Sequence, residues 1–263
     1  MNLVRREIEA IFIDVDGCLL PTDGDVSPVY FLGLNQISQY VKEANRGNFP
    51  KIGFCTGRDR NYVEAVSFFT GLPNSWSVIE SGIAIFNPTT KELILNPVLT
   101  PKIGKAFVKM SEEKVPQILK RYPELFLYPG NMINIALERR YGTDLSIEEC
   151  YEVVKKELEG LLEERLIIVT HSHIAVDISP AGIDKASGME FLSKYAGINL
   201  AKSLGIGDSK GDFPMMKLVG YVGGPSNASK ECKELITAKE GYISQFKYAN
   251  GVADVISYFV EGG

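Results

Sequence analysis

Apolar positions along this chain follow one pattern, change to another, and then return to the first. Near the start, IEAIFI (8–13) is a short run of β-branched and aromatic residues, which predicts a buried strand. Ser27-Pro28 then opens a helix running towards Gly47, with Ser capping the free N–H groups and Pro suited to the first turn. KIGFCT (51–56) predicts a second apolar strand, GRDRNYVEAVSFF a helix closed by Gly71-Leu72-Pro73, and WSVIES (76–81) a third strand. Strand, helix, strand, helix, strand at this spacing predicts a parallel sheet with right-handed crossovers.

The middle of the chain reads differently. GIAIFNPTTKELI predicts a hairpin turning at Asn-Pro-Thr-Thr, followed by a helical stretch over 102–121 and strands near 125–128 and 131–138. SIEECYEVVKKELEGLLEE (146–164) is the clearest helix. Ser146 and Glu149 form a capping box, and Ile147, Cys150, Tyr151, Val154, Leu158, Leu161 and Leu162 make one apolar stripe. LIIVTH and HIAVDIS read as two more strands, so 84–181 is expected to be a separate α+β unit. From Pro180 the first pattern returns. DKASGMEFLSKYAG is a helix ending at Gly197, SLGIGD (203–208) a strand, DFPMMKLVG a short helix and YVGG a strand, with SNASKECKELI and GVADVISYFV as closing helices. The expected fold class is α/β, with a parallel-sheet core made of 1–83 and 182–263 and a smaller α+β domain, 84–181, inserted into it.

Composition narrows the options. A chain of 263 residues suits one or two compact units, and 45% apolar residues supply a sizeable core. The net charge of −5, with no dense basic stretch, argues against a nucleic-acid partner. No apolar run reaches the roughly 18 residues of a membrane span. MNLVRREIEAIFID, interrupted by Glu7 and Glu9, lacks the design of a signal peptide. Cys18, Cys55, Cys150 and Cys232 show no CxxC spacing, which reads as reduced thiols in a cytoplasmic protein rather than a disulfide or zinc framework. The sequence assigns no oligomeric state.

In an open parallel sheet, ligands bind beyond the carboxyl ends of the strands. The first strand is followed by Asp14-Val15-Asp16-Gly17, the second by Thr56-Gly57-Arg58, and the strand at 203 by Gly207-Asp208-Ser209 with Asp212 one turn on. Lys185 opens the helix just upstream. Carboxylates 4 Å apart repel by about 4 kcal/mol per pair at an effective dielectric of about 20. A divalent cation removes that problem, and an oxygen-rich site favours magnesium, which keeps waters and takes up substrate phosphate oxygens. Cation, lysine, hydroxyl and helix N-terminal amides together make an anion trap suited to a phosphoryl group. One carboxylate of the pair can attack phosphorus. The other, two residues on and on the same side of an extended strand, can protonate the leaving oxygen and later deprotonate water. Gly17 lets the backbone turn close to the phosphate. Arg58 reads as a packing or ion-pair residue rather than a catalyst. Asn131, Asn134, Arg139, Arg140, His171 and His173 of the insert could meet substrate hydroxyls or a carboxylate, or be solvated polar residues.

DVDGCLL, TGRD, the Lys of GIDKASG and GDSKGD, in that order, resemble the motifs of the haloacid dehalogenase superfamily of phosphotransferases. The insert, with its hairpin after VIESG, is similar to the α+β (C2-type) cap of the Cof-type, subclass IIB, phosphatases. Sucrose-phosphate, mannosyl-3-phosphoglycerate and archaeal phosphoglycolate phosphatases are among these. The resemblance implies a Rossmann-like core with that cap, and a magnesium-dependent phosphomonoesterase acting through an aspartyl-phosphate. Its substrate would be a small phosphorylated metabolite of sugar phosphate or phosphoglycolate/phosphoglycerate type. It further implies Asp14 as nucleophile, Asp16 as general acid/base, Thr56 on a phosphoryl oxygen and Lys185 neutralising the phosphoaspartate. Gly17, Gly57 and Arg58 would surround the phosphate. Magnesium would be held by Asp14, the backbone carbonyl of Asp16 and Asp208, with Asp212 ligating or orienting. Two positions depart from the family pattern: Cys18 stands where Thr is usual, and Gly211 where Asn is common. A phosphosugar mutase and a catalytically weak binding protein share these motifs. A receiver-type signalling module, at about half this length and without an insert, does not fit.

Overall fold

β1 (Ala10–Ile13) is buried along its whole length, as a strand is when both faces of its parallel sheet are covered. In the computed structural model, which describes residues 7–22, 30–140, 142–171 and 175–262, four elements follow it. These are α1 (Tyr30–Asn45), β2 (Lys51–Phe54), α2 (Arg60–Phe69) and β3 (Ser77–Ile79), and then come β4 (Ala84–Phe86) and β5 (Leu93–Leu95). The second stretch holds α3 (Pro101–Lys109), α4 (Val115–Arg121), β6 (Leu125–Leu127), β7 (Ile135–Arg139), α5 (Ile147–Glu157), α6 (Glu159–Glu163), β8 (Ile167–His171) and β9 (Ala175–Pro180). The third holds α7 (Lys185–Ala196), β10 (Ser203–Ile206), α8 (Phe213–Leu218), β11 (Tyr221–Gly224), α9 (Lys230–Ala238), β12 (Tyr242–Ile243) and α10 (Tyr248–Val260). Ser27-Pro28 lies outside the described residues.

The chain divides into two compact units, Met1–Ile94 with Asp184–Gly263, and Leu95–Ile183. The hydrophobic pattern has its junctions at 84 and 182, whereas here β4 belongs to the first unit. In the first unit β12-β11-β10-β1-β2 form a parallel sheet. Ile13 stands opposite both Ile206 and Phe54, so the carboxyl ends of β10, β1 and β2 are level. Phe12, Val78, Met189, Leu192, Met215 and Val222 are part of its core. The second unit is an antiparallel sheet in the order β6-β7-β9-β8. Its core joins Leu125, Leu137, Val169 and Ile178 of the strands to Cys150 and Val154 of α5.

The third strand keeps the expected parallel direction beside β2, through the Cys55–Val78 bridge, the Thr56 amide donating to Val78 O at 3.0 Å and the Phe54 amide donating to Ser77 Oγ at 2.9 Å. The ladder is short because β3 also pairs antiparallel with β4. The cause is local: Glu80, Ser81 and Gly82 have φ of 45°, 54° and 110°, which turns the chain back at once. The single stripe over 146–164 is also two helices. Its capping box forms, with Ser146 Oγ accepting from the Glu149 amide at 3.2 Å, but Leu158 leaves the helical region at φ −110°, ψ 11°. The strand expected over 131–138 is laddered only from Ile135, and two-residue β12 carries no pattern of its own.

α1 and α10 pack in close contact. A Cβ on Gly33 would lie 2.3 Å from the Ala249 carbonyl carbon, while the Gly33 N–H donates to Asn250 Oδ1 at 2.7 Å. Gly33→Ala is therefore expected to force these helices apart and cost about 1–3 kcal/mol in urea unfolding. Wild-type stability in that variant would mean the contact has slack.

Candidate active site

The site begins where β1 ends. The Asp14 amide still donates to Ile206 O at 2.9 Å, which keeps that residue in the ladder and its side chain fixed. The chain then turns tightly: Leu19 and Leu20 both donate to Val15 O, and Gly17 donates to Leu20 O at 2.8 Å. Val15, Cys18 and Leu19 are fully buried and anchor the turn. Gly17 has φ 78°, and a Cβ there would sit 2.7 Å from Asp208 Oδ2. Only glycine allows this approach. Its amide is bonded within the turn, so the service it gives an anion is the absence of a side chain rather than an N–H.

Lys185 is the first residue of α7, whose N-terminus is set by the reciprocal Asp184–Ser187 capping box. The residue is 7% exposed, and its ammonium donates to Asp14 Oδ1 at 2.7 Å and to Asp212 Oδ1 at 2.6 Å. Asp212, fully buried, uses its other oxygen to accept from the amides of Asp208 and Ser209 at 3.0 and 3.1 Å. Asp208 Oδ1 is buried with no hydrogen-bond partner among the described residues. Carboxylate oxygens of Asp14, Asp208 and Asp212 all lie within 4.8 Å of one another.

Three carboxylates thus face one ammonium. Burial, then repulsion from Asp212, raises Asp14 well above the usual carboxylate range. The same two causes push Asp208 up to about 7. Burial alone would lower Lys185, but Asp14 and Asp212 outweigh it and hold the ammonium protonated. Burial, and next the charge of Asp208, puts the Cys18 thiol far above its ordinary value, and burial pushes Cys55 up to about 12. Neither thiol is a nucleophile or a soft-metal ligand in this state. An all-oxygen donor set with excess negative charge and one orphaned buried oxygen fits a hard divalent cation.

Asp16 takes a different direction. Its carboxylate receives two hydrogen bonds from Arg58, at 2.8 and 2.9 Å, and one from the Tyr62 hydroxyl at 3.4 Å. The expected alternation does not bring both carboxylates to one cluster, because the turn at Gly17 sends Asp16 towards α2. Arg58 is an ion-pair partner here, and its guanidinium lies 4.9 Å from the Tyr62 ring centroid. Thr56 is buried at the adjacent strand end, where its Oγ1 accepts from the Arg58 amide at 3.1 Å. Gly57 adjoins Ser81: a Cβ would meet its Oγ at 3.3 Å. Gly211 is exposed.

The polar residues singled out in the insert all belong to the second unit, apart from His173, which lies outside the described residues. Arg139 and Arg140 donate to the carbonyls of Leu145 and Pro123, and the His171 ring lies 5.0 Å from that of Tyr151. Asn131 and Asn134 fall in the irregular segment before β7. Sequence reasoning missed Tyr62, one helical turn after Arg58, and Asn227, whose Nδ2 donates to Gly17 O at 2.7 Å. Scanning the residues after every parallel strand, β11 included, points to Asn227.

A family model described as haloacid dehalogenase-like hydrolase matches residues 131–256. Phosphoglycolate phosphatase of Methanobrevibacter smithii is 24% identical, over 96% of this chain and 99% of its own. The 5-amino-6-(5-phospho-D-ribitylamino)uracil phosphatase of Escherichia coli is 22% identical over 95% of both. A HAD/COF-like hydrolase from Plasmodium vivax superposes with a TM-score of 0.71 at 16% identity, over 99% of this chain and 98% of that one. The chain is therefore similar to haloacid dehalogenase-like hydrolases, phosphatases among them, and shares the fold of a HAD/COF-like member. Among its described residues, no helix is long and apolar enough to cross a membrane.

The charge imbalance has a measurable consequence. In the metal-free protein Asp208 keeps a proton up to about 7, whereas in the unfolded chain an Asp loses it near about 3.9. Between those values the folded state binds more protons, so stability falls as pH rises. Melting in chelator is expected to drop steadily from about pH 4 to about pH 7, and added magnesium to reverse the loss at the upper end. A flat profile would mean the carboxylates are not crowded.

Proposed function

We propose that this protein is a Cof-type phosphatase that hydrolyses the phosphate monoester of a small metabolite through an aspartyl-phosphate on Asp14. The observation that carries this reading is the placement of Asp14: a buried carboxylate with one oxygen held by Lys185, beside Asp208 and Asp212. Its other oxygen attacks phosphorus, and the bond from phosphorus to the ester oxygen breaks. The leaving oxygen takes a proton from Asp16, which first has to let go of Arg58 and pick up a proton from solvent. Asp16 then takes a proton from a water molecule. The resulting hydroxide displaces Asp14 from phosphorus, which frees inorganic phosphate and restores the carboxylate.

Asp14, the carbonyl of Asp16 and Asp208 would hold a divalent cation, magnesium by the hardness of the donors, which supplies positive charge to the phosphoryl oxygens. Asp212 keeps Lys185 in place and ties the Asp208 loop to it. Thr56, on the neighbouring strand end, donates its hydroxyl to a phosphoryl oxygen, and the Thr56-Gly57-Arg58 backbone lines the same mouth. We assign selection among substrates to the inserted unit, Leu95–Ile183. Phosphoglycolate and ribitylaminouracil phosphate are the compounds named for two relatives, and their shared feature, a monophosphate on a small polar body, is the substrate class we infer. Four buried free cysteines fit a reducing, cytoplasmic location.

Asp14→Asn is expected to lower turnover of a generic phosphate ester by about a thousandfold or more, with fold and melting intact. Near-normal turnover would overturn the nucleophile assignment. A panel of phosphorylated metabolites, assayed with and without magnesium, then identifies the substrate.

A further inference from the structure

The loop between β11 and α9 holds two backbone carbonyls, one on each side of the acidic cluster. Asn227 Nδ2 donates to Gly17 O at 2.7 Å, and the Ser229 amide donates to Asp208 O at 2.7 Å. These carbonyls belong to different strand ends, one following β1 and the other β10. Between them Gly17 lies against the Asp208 carboxylate, where no side chain fits. The loop is itself held: Ser229 Oγ caps α9 by accepting from Cys232 N, and Asn227 Oδ1 accepts from the Tyr248 amide at 3.0 Å. Tyr248 carries φ 47°, an uncommon conformation for a ring-bearing residue, at the first turn of α10. The orientation of the Asn227 amide follows from chemistry alone. Gly17 O can only accept and Tyr248 N–H can only donate, so a flipped amide would lose both bonds.

We propose that Asn227 is a positioning residue that sets the spacing between the Asp14 and Asp208 strand ends, and through it the affinity of the cluster for its divalent cation. This rests on the cation reading given above. Outer groups that orient metal ligands typically carry about 10- to 100-fold in metal affinity when removed.

The test is calorimetric titration of magnesium into the full-length chain, without substrate, for wild type, Asn227→Ala and Asn227→Asp. Asn227→Asp keeps the acceptor for Tyr248 and loses only the donor to Gly17 O. Its added negative charge by itself would tighten cation binding, so weaker binding reports the lost hydrogen bond. Both variants are expected to bind magnesium about 10- to 100-fold more weakly. Their melting in chelator should stay close to wild type, and their turnover should recover at high magnesium. If wild type binds magnesium and the variants bind it equally well or better, the proposal is overturned. If wild type does not bind it at all, the cation reading itself has failed. Should Asn227→Ala not fold, Asn227→Asp alone decides, and unchanged affinity there overturns the proposal.

Discussion

One buried ammonium holds this site together. Lys185 bridges Asp14 and Asp212 at 2.7 and 2.6 Å in a place where solvent barely reaches. A buried ion pair is a weak source of stability, because desolvating the charges costs about as much as their attraction returns. Here the balance is worse, since a third carboxylate, Asp208, crowds the same single ammonium, which does not offset all three. A chain selected for stability alone would place apolar residues at these strand ends. Keeping three acids around one lysine makes sense if a further cation and an anionic substrate complete the arrangement.

The sheet exists, for this purpose, to make three strand ends level. Equal register of β1 with β10 and with β2 brings Asp14, Asp208 and Thr56 to one edge from three distant parts of the sequence. Asp212 then serves as a joint. One of its oxygens meets Lys185, and the other gathers the amides of Asp208 and Ser209. Moving that carboxylate would disturb the lysine and the Asp208 loop together, so a residue that need not touch substrate is as constrained as those that do.

Much of this is legible from strand-end residues, because parallel strands carry their ligands in a fixed place and hydrophobic runs mark where each strand stops. Asp14, Lys185, Asp208 and Asp212 come together in space as their positions suggest. The partner of Asp16 is not legible, since alternation assumes an extended chain and the chain leaves extension at Gly17. The reversal after β3 depends on positive φ at Glu80 and Ser81, residue types that do not advertise it. Asn227 is legible only as a residue that follows a parallel strand: its contact with Gly17 spans 210 residues, and no local pattern encodes a bond that the whole sheet must first assemble.

Two aspartates separated by one residue end up in unlike surroundings, and that difference suits the two-step hydrolysis proposed for them. Asp14 is buried and bound to a lysine that cannot leave, so it stays aimed at one point in space. Asp16 is partly exposed and bound to an arginine in the bend before α2, a pair whose members keep about a quarter of their side-chain surface in water. Water can replace that bond at modest cost, so the pair can open. A nucleophile must not move while it waits, and a proton carrier must move between two oxygens. The turn at Gly17, by sending neighbouring carboxylates to different cations, gives each aspartate the mobility that its proposed task would require.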